Sequence, residues 1–187
     1  PFVYDLRMPG YLICGGRDGT KRIRLKLPNA YSTVEFNHRA GLALVLGAPD
    51  DSLAKPFVHF YDADGNGLGW IELPRQPRPG ANFTQVWLGD RPEALVFITD
   101  GFRRDEPPGP AGHDPETYYV AATGAAVALG LTRTLAVRFL PAGGFAVVGR
   151  DARGKPVLRR YDGATCRWER PCPSAAAASR KSSAWFV

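Results

Sequence analysis

The chain carries Ser32-Thr-Val-Glu-Phe36, Gly41-Leu-Ala-Leu-Val-Leu46, Pro56-Phe-Val-His-Phe-Tyr61 and Leu68-Gly-Trp-Ile-Glu-Leu73 in close succession. Clusters of glycine, proline, aspartate or asparagine separate these apolar-alternating runs, a pattern typical of β-strands joined by tight turns. The same order returns from Phe83 and, more loosely, from Thr134. Because a repeat of four meandering strands is typical of a propeller blade, the sequence predicts an all-β protein. We expect antiparallel meander repeats that form a small or incomplete β-propeller of three to four blades.

The other strands are predicted from the same alternation of apolar and polar residues. A hairpin precedes the first full unit, and two further units follow it. The predicted strands are 3–6, 11–14 and 20–27 in the hairpin, 83–88, 94–99, 117–122 and 125–129 in the next unit, and 135–140, 144–150, 156–161 and 165–169 in the last. Residues 74–80 are interpreted as a stiff, proline-rich connector between units. No amphipathic helix of convincing length is predicted.

The composition bounds the organisation of the chain. Its 187 residues suit a single β-propeller-like domain over 1–173, followed by a flexible tail over 174–187 that has no periodicity. The 21 glycines and 17 prolines lie between the apolar runs, so they indicate turns rather than disorder. The net charge of +6 favours acidic partners. No run of about 18 apolar residues is present, so no membrane span is predicted.

The chain has three cysteines. Cys166 and Cys172 bracket Arg-Trp-Glu-Arg-Pro, and they are predicted to form a disulfide that restrains the last strand. Such a bond implies an oxidising compartment. Cys14 lies in an apolar run and is interpreted as a buried free thiol. Pairing of Cys14 with Cys166 or Cys172, and a state with all three thiols reduced, are open alternatives.

The sharpest motif is Asp62-Ala-Asp64-Gly-Asn66-Gly67. Carboxylates at the first and third positions, an amide at the fifth and glycine at the sixth match the opening of a calcium-binding loop. The match ends there, because Trp70 stands at the ninth position and Leu73 at the twelfth. A hairpin turn explains the same residues. Both hypotheses are kept, a turn and a calcium site formed by Asp62, Asp64 and Asn66, and no other cofactor is expected.

A long segment, 101–115, interrupts a hairpin of the third unit. Loops of this length in compact domains are usually functional or disordered, and prolines limit the entropy that such a loop loses on binding. Phe102 is a candidate apolar anchor among charged neighbours. The predicted partner-binding residues are Phe102, Arg103, Arg104, Asp105, Glu106, His113 and Asp114, with Asp51 and Ser52 on a second loop. A mobile, solvated loop is the alternative.

The sequence contains no motif that indicates catalysis. Serine-nucleophile and zinc-binding signatures are missing, and the glycine pairs lie between strands rather than at a helix start. His38, His59 and His113 are scattered, and His59 is interpreted as a strand residue with one polar tip rather than a ligand. No basic groove can be built around Tyr118-Tyr119 for stacking bases. The sequence therefore predicts neither an enzyme nor a nucleic-acid-binding protein.

A chain of three to four meander blades over about residues 3–172, with one long blade loop and no catalytic groups, resembles the incomplete-propeller immunity proteins. Those proteins neutralise type VI secretion cell-wall amidases in the bacterial periplasm. The resemblance implies a periplasmic or secreted inhibitor that plugs the active-site cleft of a peptidoglycan hydrolase. The inserted loop would be 102–114, with 49–55 as the second choice. The alternative is a non-catalytic interaction module or a fragment of a larger secreted propeller protein.

Overall fold

The computed structural model describes residues 11–15, 22–26, 33–47, 57–77, 84–98, 101–103 and 115–172. The described chain is all β, with every paired strand antiparallel. Among these residues, no helix has the length and apolar character needed to cross a bilayer. The predicted fold class is therefore confirmed at the level of strands and sheets.

Twelve of the strands form three four-stranded sheets. Sheet 1 consists of β3 (Thr33–Asn37), β4 (Leu42–Gly47), β5 (Phe57–Tyr61) and β6 (Gly67–Glu72). Sheet 2 consists of β8 (Thr84–Leu88), β9 (Glu93–Ile98), β11 (Glu116–Ala121) and β12 (Val127–Ala128). Sheet 3 consists of β13 (Leu131–Phe139), β14 (Phe145–Asp151), β15 (Pro156–Asp162) and β16 (Thr165–Pro171).

Four further strands lie outside these sheets. β1 (Tyr11–Gly15) pairs with β2 (Arg22–Lys26), and β7 (Arg75–Pro77) pairs with β10 (Gly101–Arg103). The predicted strand 3–6 and the predicted tail 174–187 lie outside the described residues. The remaining strand predictions are confirmed, although the fourth strand of sheet 2 is shorter and the first strand of sheet 3 longer than expected. The closed or open ring of a propeller stays a prediction.

The two small strands correct two sequence interpretations. The connector predicted at 74–80 contains β7, and the first three residues of the segment predicted as a loop at 101–115 form β10. Each of these strands is only three residues long, which is too short to show an alternation of apolar and polar residues. Sequence patterns detect strands through periodic burial, which so short a ladder does not display.

Two apolar cores hold the three sheets together. The first lies between sheets 1 and 2 and includes Leu44, Phe60 and Val96, each fully buried. The second lies between sheets 2 and 3 and includes Leu95 and Phe145, also fully buried. Consecutive residues of β9 point to opposite faces of the sheet, so this strand serves both cores. Sheet 2 is therefore the middle layer.

A buried hydroxyl pair also joins sheets 2 and 3. The Oγ1 atoms of Thr117 in β11 and Thr134 in β13 are 2.7 Å apart, and the Thr117 hydroxyl is 3.2 Å from the carbonyl oxygen of Leu131. Both threonines are buried. Buried polar groups are tolerated when they find hydrogen-bond partners, and here each hydroxyl supplies the other's.

Because successive strands of a meander run in opposite directions, the connections between them lie alternately at the two ends of the sheet. Turns that join first to second and third to fourth strands lie at one end of a sheet, and connections from second to third strands lie at the other. Turns of neighbouring sheets touch, since Asn37 Nδ2 donates to the Gly89 carbonyl at 2.8 Å and to Asp90 at 2.9 Å. We name this the turn end of the molecule and the opposite one the loop end.

Candidate partner-binding surface at the loop end

A short ladder bridges sheets 1 and 2 at the loop end. β7 follows the last strand of sheet 1, and β10 follows the second strand of sheet 2. The ladder pairs Gly101 with Pro77, Phe102 with Gln76 and Arg103 with Arg75. Two residues of the predicted partner-binding set, Phe102 and Arg103, therefore lie in a paired strand at the base of the long loop rather than within it.

The other predicted partner-binding residues lie outside the described residues: Arg104, Asp105, Glu106, His113, Asp114, Asp51 and Ser52. The strands that flank them fix where both loops begin and end. β4 ends at Gly47 and β5 begins at Phe57, while β10 ends at Arg103 and β11 begins at Glu116. Both connections run from a second to a third strand, so both leave from and return to the loop end.

The far side of the long loop is held by the Glu116 carboxylate. Its Oε1 atom accepts hydrogen bonds from the backbone N–H of Thr117 at 3.0 Å and of Leu131 at 3.2 Å. Leu129 N–H donates to the Thr117 carbonyl at 2.9 Å. These bonds fasten the start of β11 to the start of β13. The loop thus returns to a fixed point, as it starts from one in β10.

The charged residues described at this end are mostly basic. The ladder places Arg103 opposite Arg75. In the turn between β14 and β15, Asp151 Oδ1 accepts from the backbone N–H of Arg153 at 2.9 Å and of Lys155 at 2.8 Å. The ladder and this turn together place Arg75, Arg103, Arg153 and Lys155 at the loop end.

The calcium motif lies at the turn end and has the contacts of a hairpin turn. Asp62 Oδ1 accepts from the backbone N–H of Asp64 and of Asn66, each at 2.8 Å, and Asp62 Oδ2 accepts from Asn66 Nδ2 at 2.9 Å. The hydrogen bonds from Asn66 are the main reason that the pKa of Asp62 is lowered. Leu73, at the twelfth position of the motif, is buried in the first core.

These contacts do not fit a calcium shell. Calcium needs six to eight converging oxygens, whereas the Asp62 oxygens accept N–H groups of the turn and Asn66 presents its amide nitrogen to them. Within the described residues, no group of three or more His, Cys, Asp or Glu side chains is arranged to hold a metal ion. The turn hypothesis accounts for the motif.

Three polar contacts escaped the sequence analysis. Tyr61 Oη lies 2.9 Å from His59 Nδ1, and burial lowers the pKa of His59. Asn37 joins two turns, as described above, and Tyr119 donates to Glu93 at 2.8 Å, where burial and then the Glu93 carboxylate raise the pKa of Tyr119. The alternation in β5 indicates that His59 and Tyr61 share a face. The contacts of Asn37 with another sheet, and of Tyr119 with a neighbouring strand of the same sheet, leave no such signal in the sequence.

The predicted disulfide is not formed. Cys166 and Cys172 are free thiols, the first in β16 and the second directly after it. An extended strand separates them by about 20 Å, whereas a disulfide requires Cα atoms within about 7 Å. The sequence spacing suggests a small ring, but the residues between the two cysteines form β16, which pairs with β15 up to Pro171. Since both of these thiols are free, the alternative pairing of Cys14 with Cys166 or Cys172 is not formed either. The side chain of Cys14 lies outside the described part, so its burial stays a prediction.

A scan of the sequence against protein-family models and a search of curated proteins both return no match.

Proposed function

We propose that this protein is a non-catalytic, periplasmic or secreted inhibitor that blocks the active site of a peptidoglycan hydrolase. The proposed contact surface is the loop end, with the long loop after Arg103 as the inserted element. The observation that carries the proposal is the ladder between β7 and β10, which ties the base of that loop to two sheets at once.

The physical argument rests on preorganisation. A loop that enters a cleft loses conformational freedom, and this loss subtracts from the affinity. Here β10 fixes one side of the loop, and the Glu116 hydrogen bonds fix the other. The two cores make sheet 2 a rigid support for both attachment points. Because both ends of the loop are already fixed in the folded protein, the loop loses less conformational entropy when the partner binds.

The residues at the base of the loop indicate what kind of partner surface would bind there. Phe102 is an aromatic residue at the loop base, and buried aromatic residues and arginines supply much of the binding energy at protein interfaces. Arg75 and Arg103 stand opposite each other in the ladder and favour carboxylates in the partner. An enzyme cleft lined with acidic groups beside an apolar pocket would accept both. We infer that the arginines speed association and that Phe102 slows dissociation.

The test uses the products of the reading frames adjacent to that of this chain. The proposal expects one of them to be a secreted Cys-His hydrolase whose release of muropeptides from purified sacculi this protein inhibits. Replacing residues 104–112 by a short Gly-Ser bridge is expected to abolish inhibition, because the inserted element is lost. Phe102→Ala is expected to weaken inhibition by about tenfold or more.

Leu68→Ala serves as the matched control. Leu68 is an exposed apolar residue, 39% accessible, near the turn end, so its loss is expected to leave inhibition within about twofold. Far-UV circular dichroism and thermal unfolding show whether the loop replacement keeps its fold. Full inhibition by a folded loop-replacement variant would overturn the loop assignment. No hydrolase inhibition by the intact protein would overturn the proposed function.

A further inference from the structure

The outer face of sheet 3, the face turned away from sheet 2, is exposed and carries a basic frame. Phe145 and Val147 in β14 belong to the second core, so the residues between and after them occupy the opposite face. The ladders extend this face across all four strands. Its arginines are all exposed, namely Arg133, Arg138, Arg150, Arg160 and Arg170.

An apolar row crosses the middle of that face. Val148 pairs with Ala136 on one side and with Leu158 on the other, which forms a row over three strands. Two large apolar residues of sheet 3 are also exposed, Leu135 at 52% and Trp168 at 38%. In the neighbouring rows, Arg150 pairs with Arg133, and Arg160 pairs with Trp168. The face thus has an apolar centre between two arginine-bearing rows.

The carboxylates of sheet 3 bond to groups other than Arg133 and Arg160. Glu169 bonds to Arg159 at 2.6 Å and Asp162 bonds to Arg167 at 2.6 Å. Asp151 accepts the backbone N–H groups of its own turn. Within the described residues, the guanidinium groups of Arg133 and Arg160 have no hydrogen-bond or ion-pair partner. They remain available to an external anion.

The charge of this face and the surroundings of Trp168 argue against three possible binding partners. A second copy placed face to face would set arginines against arginines. Residues 173–187 contain Arg180 and Lys181 and no acidic residue, so this segment is no complement either. Nucleic-acid bases stack on open aromatic rings, whereas Trp168 lies under the guanidinium of Arg170, 5.4 Å from its ring centroid, beside an aliphatic row.

We propose that the outer face of sheet 3 docks an acidic surface of a partner protein, with carboxylates placed around an apolar centre. An apolar middle with a charged rim is the usual anatomy of a protein interface, and arginine and tryptophan are enriched there. Carboxylates of the partner bond to Arg133 and Arg160, while apolar side chains of the partner cover Val148 and Leu158. The row of Arg133 and Arg150 borders the loop end, whereas Arg160 and Trp168 lie toward the turn end. The proposed docking does not require the long loop, so it does not depend on the proposed hydrolase inhibition.

The test compares anionic probes by fluorescence anisotropy. The probes are a random glutamate–tyrosine copolymer, polyglutamate, duplex DNA and phosphatidylglycerol vesicles. The wild-type protein is expected to bind the copolymer most tightly, because only this probe offers both carboxylates and apolar groups on a polypeptide. The double variant Arg133→Glu/Arg160→Glu is expected to weaken copolymer binding by about tenfold or more.

Three further variants make the result specific. Arg133→Gln/Arg160→Gln is expected to weaken binding less than the glutamate pair, and it replaces that pair if charge reversal prevents folding. Leu158→Ser is expected to reduce the preference for the copolymer over polyglutamate. Arg91→Glu, an exposed position in a turn at the turn end, is expected to leave affinity within about twofold.

Two outcomes would overturn the proposal. One is copolymer binding that is unchanged in both the glutamate and the glutamine double variants. The other is tighter binding of DNA or of vesicles than of the copolymer, which would assign the face to nucleic acid or to an anionic membrane. Because the loop-replacement variant keeps sheet 3, its copolymer binding is expected to equal that of the wild type. The two proposals can therefore fail separately.

Discussion

At the scale of single residues, the buried pair Thr117 and Thr134 shows how a polar contact links sheets 2 and 3. The two hydroxyls lie 2.7 Å apart, and Thr117 lies 3.2 Å from the Leu131 carbonyl oxygen. Such a pair costs little while both members are present, but one hydroxyl left alone keeps its full desolvation penalty. The pair therefore fixes the docking of β11 on β13 more sharply than an apolar contact would.

Substitution by valine tests this coupling. Thr117→Val is expected to lower the free energy of unfolding by about 1–3 kcal/mol, because the Thr134 hydroxyl is then buried without its partner. Thr134→Val is expected to lower it by about 1 kcal/mol, because the Thr117 hydroxyl keeps its hydrogen bond to the Leu131 carbonyl. The double variant is expected to cost less than the sum of the two single variants. Urea unfolding measures all three. Additive losses would show that the hydroxyls do not depend on each other.

Side-chain contacts could be predicted from the sequence where they join residues of the same turn. The Asp62 turn is such a case, since Asp62, Asp64 and Asn66 bond within one hairpin. The bond from Asn37 to Asp90 could not be predicted, because 53 positions separate the two residues. The prediction of a disulfide between Cys166 and Cys172 is wrong for a different reason. Their spacing says nothing about whether the intervening residues bend or extend.

At the scale of elements, the turn between β13 and β14 contains two glycines with positive φ, Gly143 and Gly144. Gly144 has φ of +72°, and a Cβ atom there would overlap the carbonyl oxygen of Tyr161 on the neighbouring strand. Gly154, in the turn between β14 and β15, has φ of +74° and no atom within 4 Å of the corresponding position. Gly144 and Gly154 share a backbone conformation and differ in the space around them.

Alanine at each position separates the two effects. Gly154→Ala is expected to cost about 1 kcal/mol, the price of a left-handed conformation for a residue with a Cβ. Gly144→Ala is expected to cost about 3 kcal/mol, because the overlap with the strand of Tyr161 adds to that strain. Chemical denaturation of both variants checks the difference. Equal losses would contradict the close approach of the two strands.

The meander strands were predictable because their residues alternate between a core and a second environment, as in β5 and β14. β7 and β10 lack such a pattern and are defined by their partner alone. Their pairing brings together segments that lie far apart in the sequence. The base of the candidate site therefore emerged only from the structure, although Phe102 had been singled out within it.

At the scale of the whole molecule, β9 couples the two cores because it contributes side chains to both. Ala94, Val96 and Ile98 face the first core, and Leu95 faces the second. A strand that serves both cores cannot leave one without leaving the other. We therefore expect the described sheets to unfold as a single cooperative unit rather than sheet by sheet.

Leu95→Ala tests that expectation. The substitution opens a cavity in the second core and is expected to cost about 2–5 kcal/mol. Its unfolding curves from tryptophan fluorescence and from far-UV circular dichroism are expected to coincide, because loss of the second core also releases the first. Val96→Ala, on the opposite face, is expected to give coincident curves as well. Two separated transitions in either variant would contradict the cooperative unit.

The asymmetry between sheets 2 and 3 also limits how such an architecture can be extended. Sheet 2 has both faces in cores, so an added repeat beside it would have to split a packed interior. The outward side of sheet 3 could receive a further meander without disturbing anything already folded. That addition would hide Arg133 and Arg160 from solvent, so extending the stack at this side and keeping its arginines accessible exclude each other.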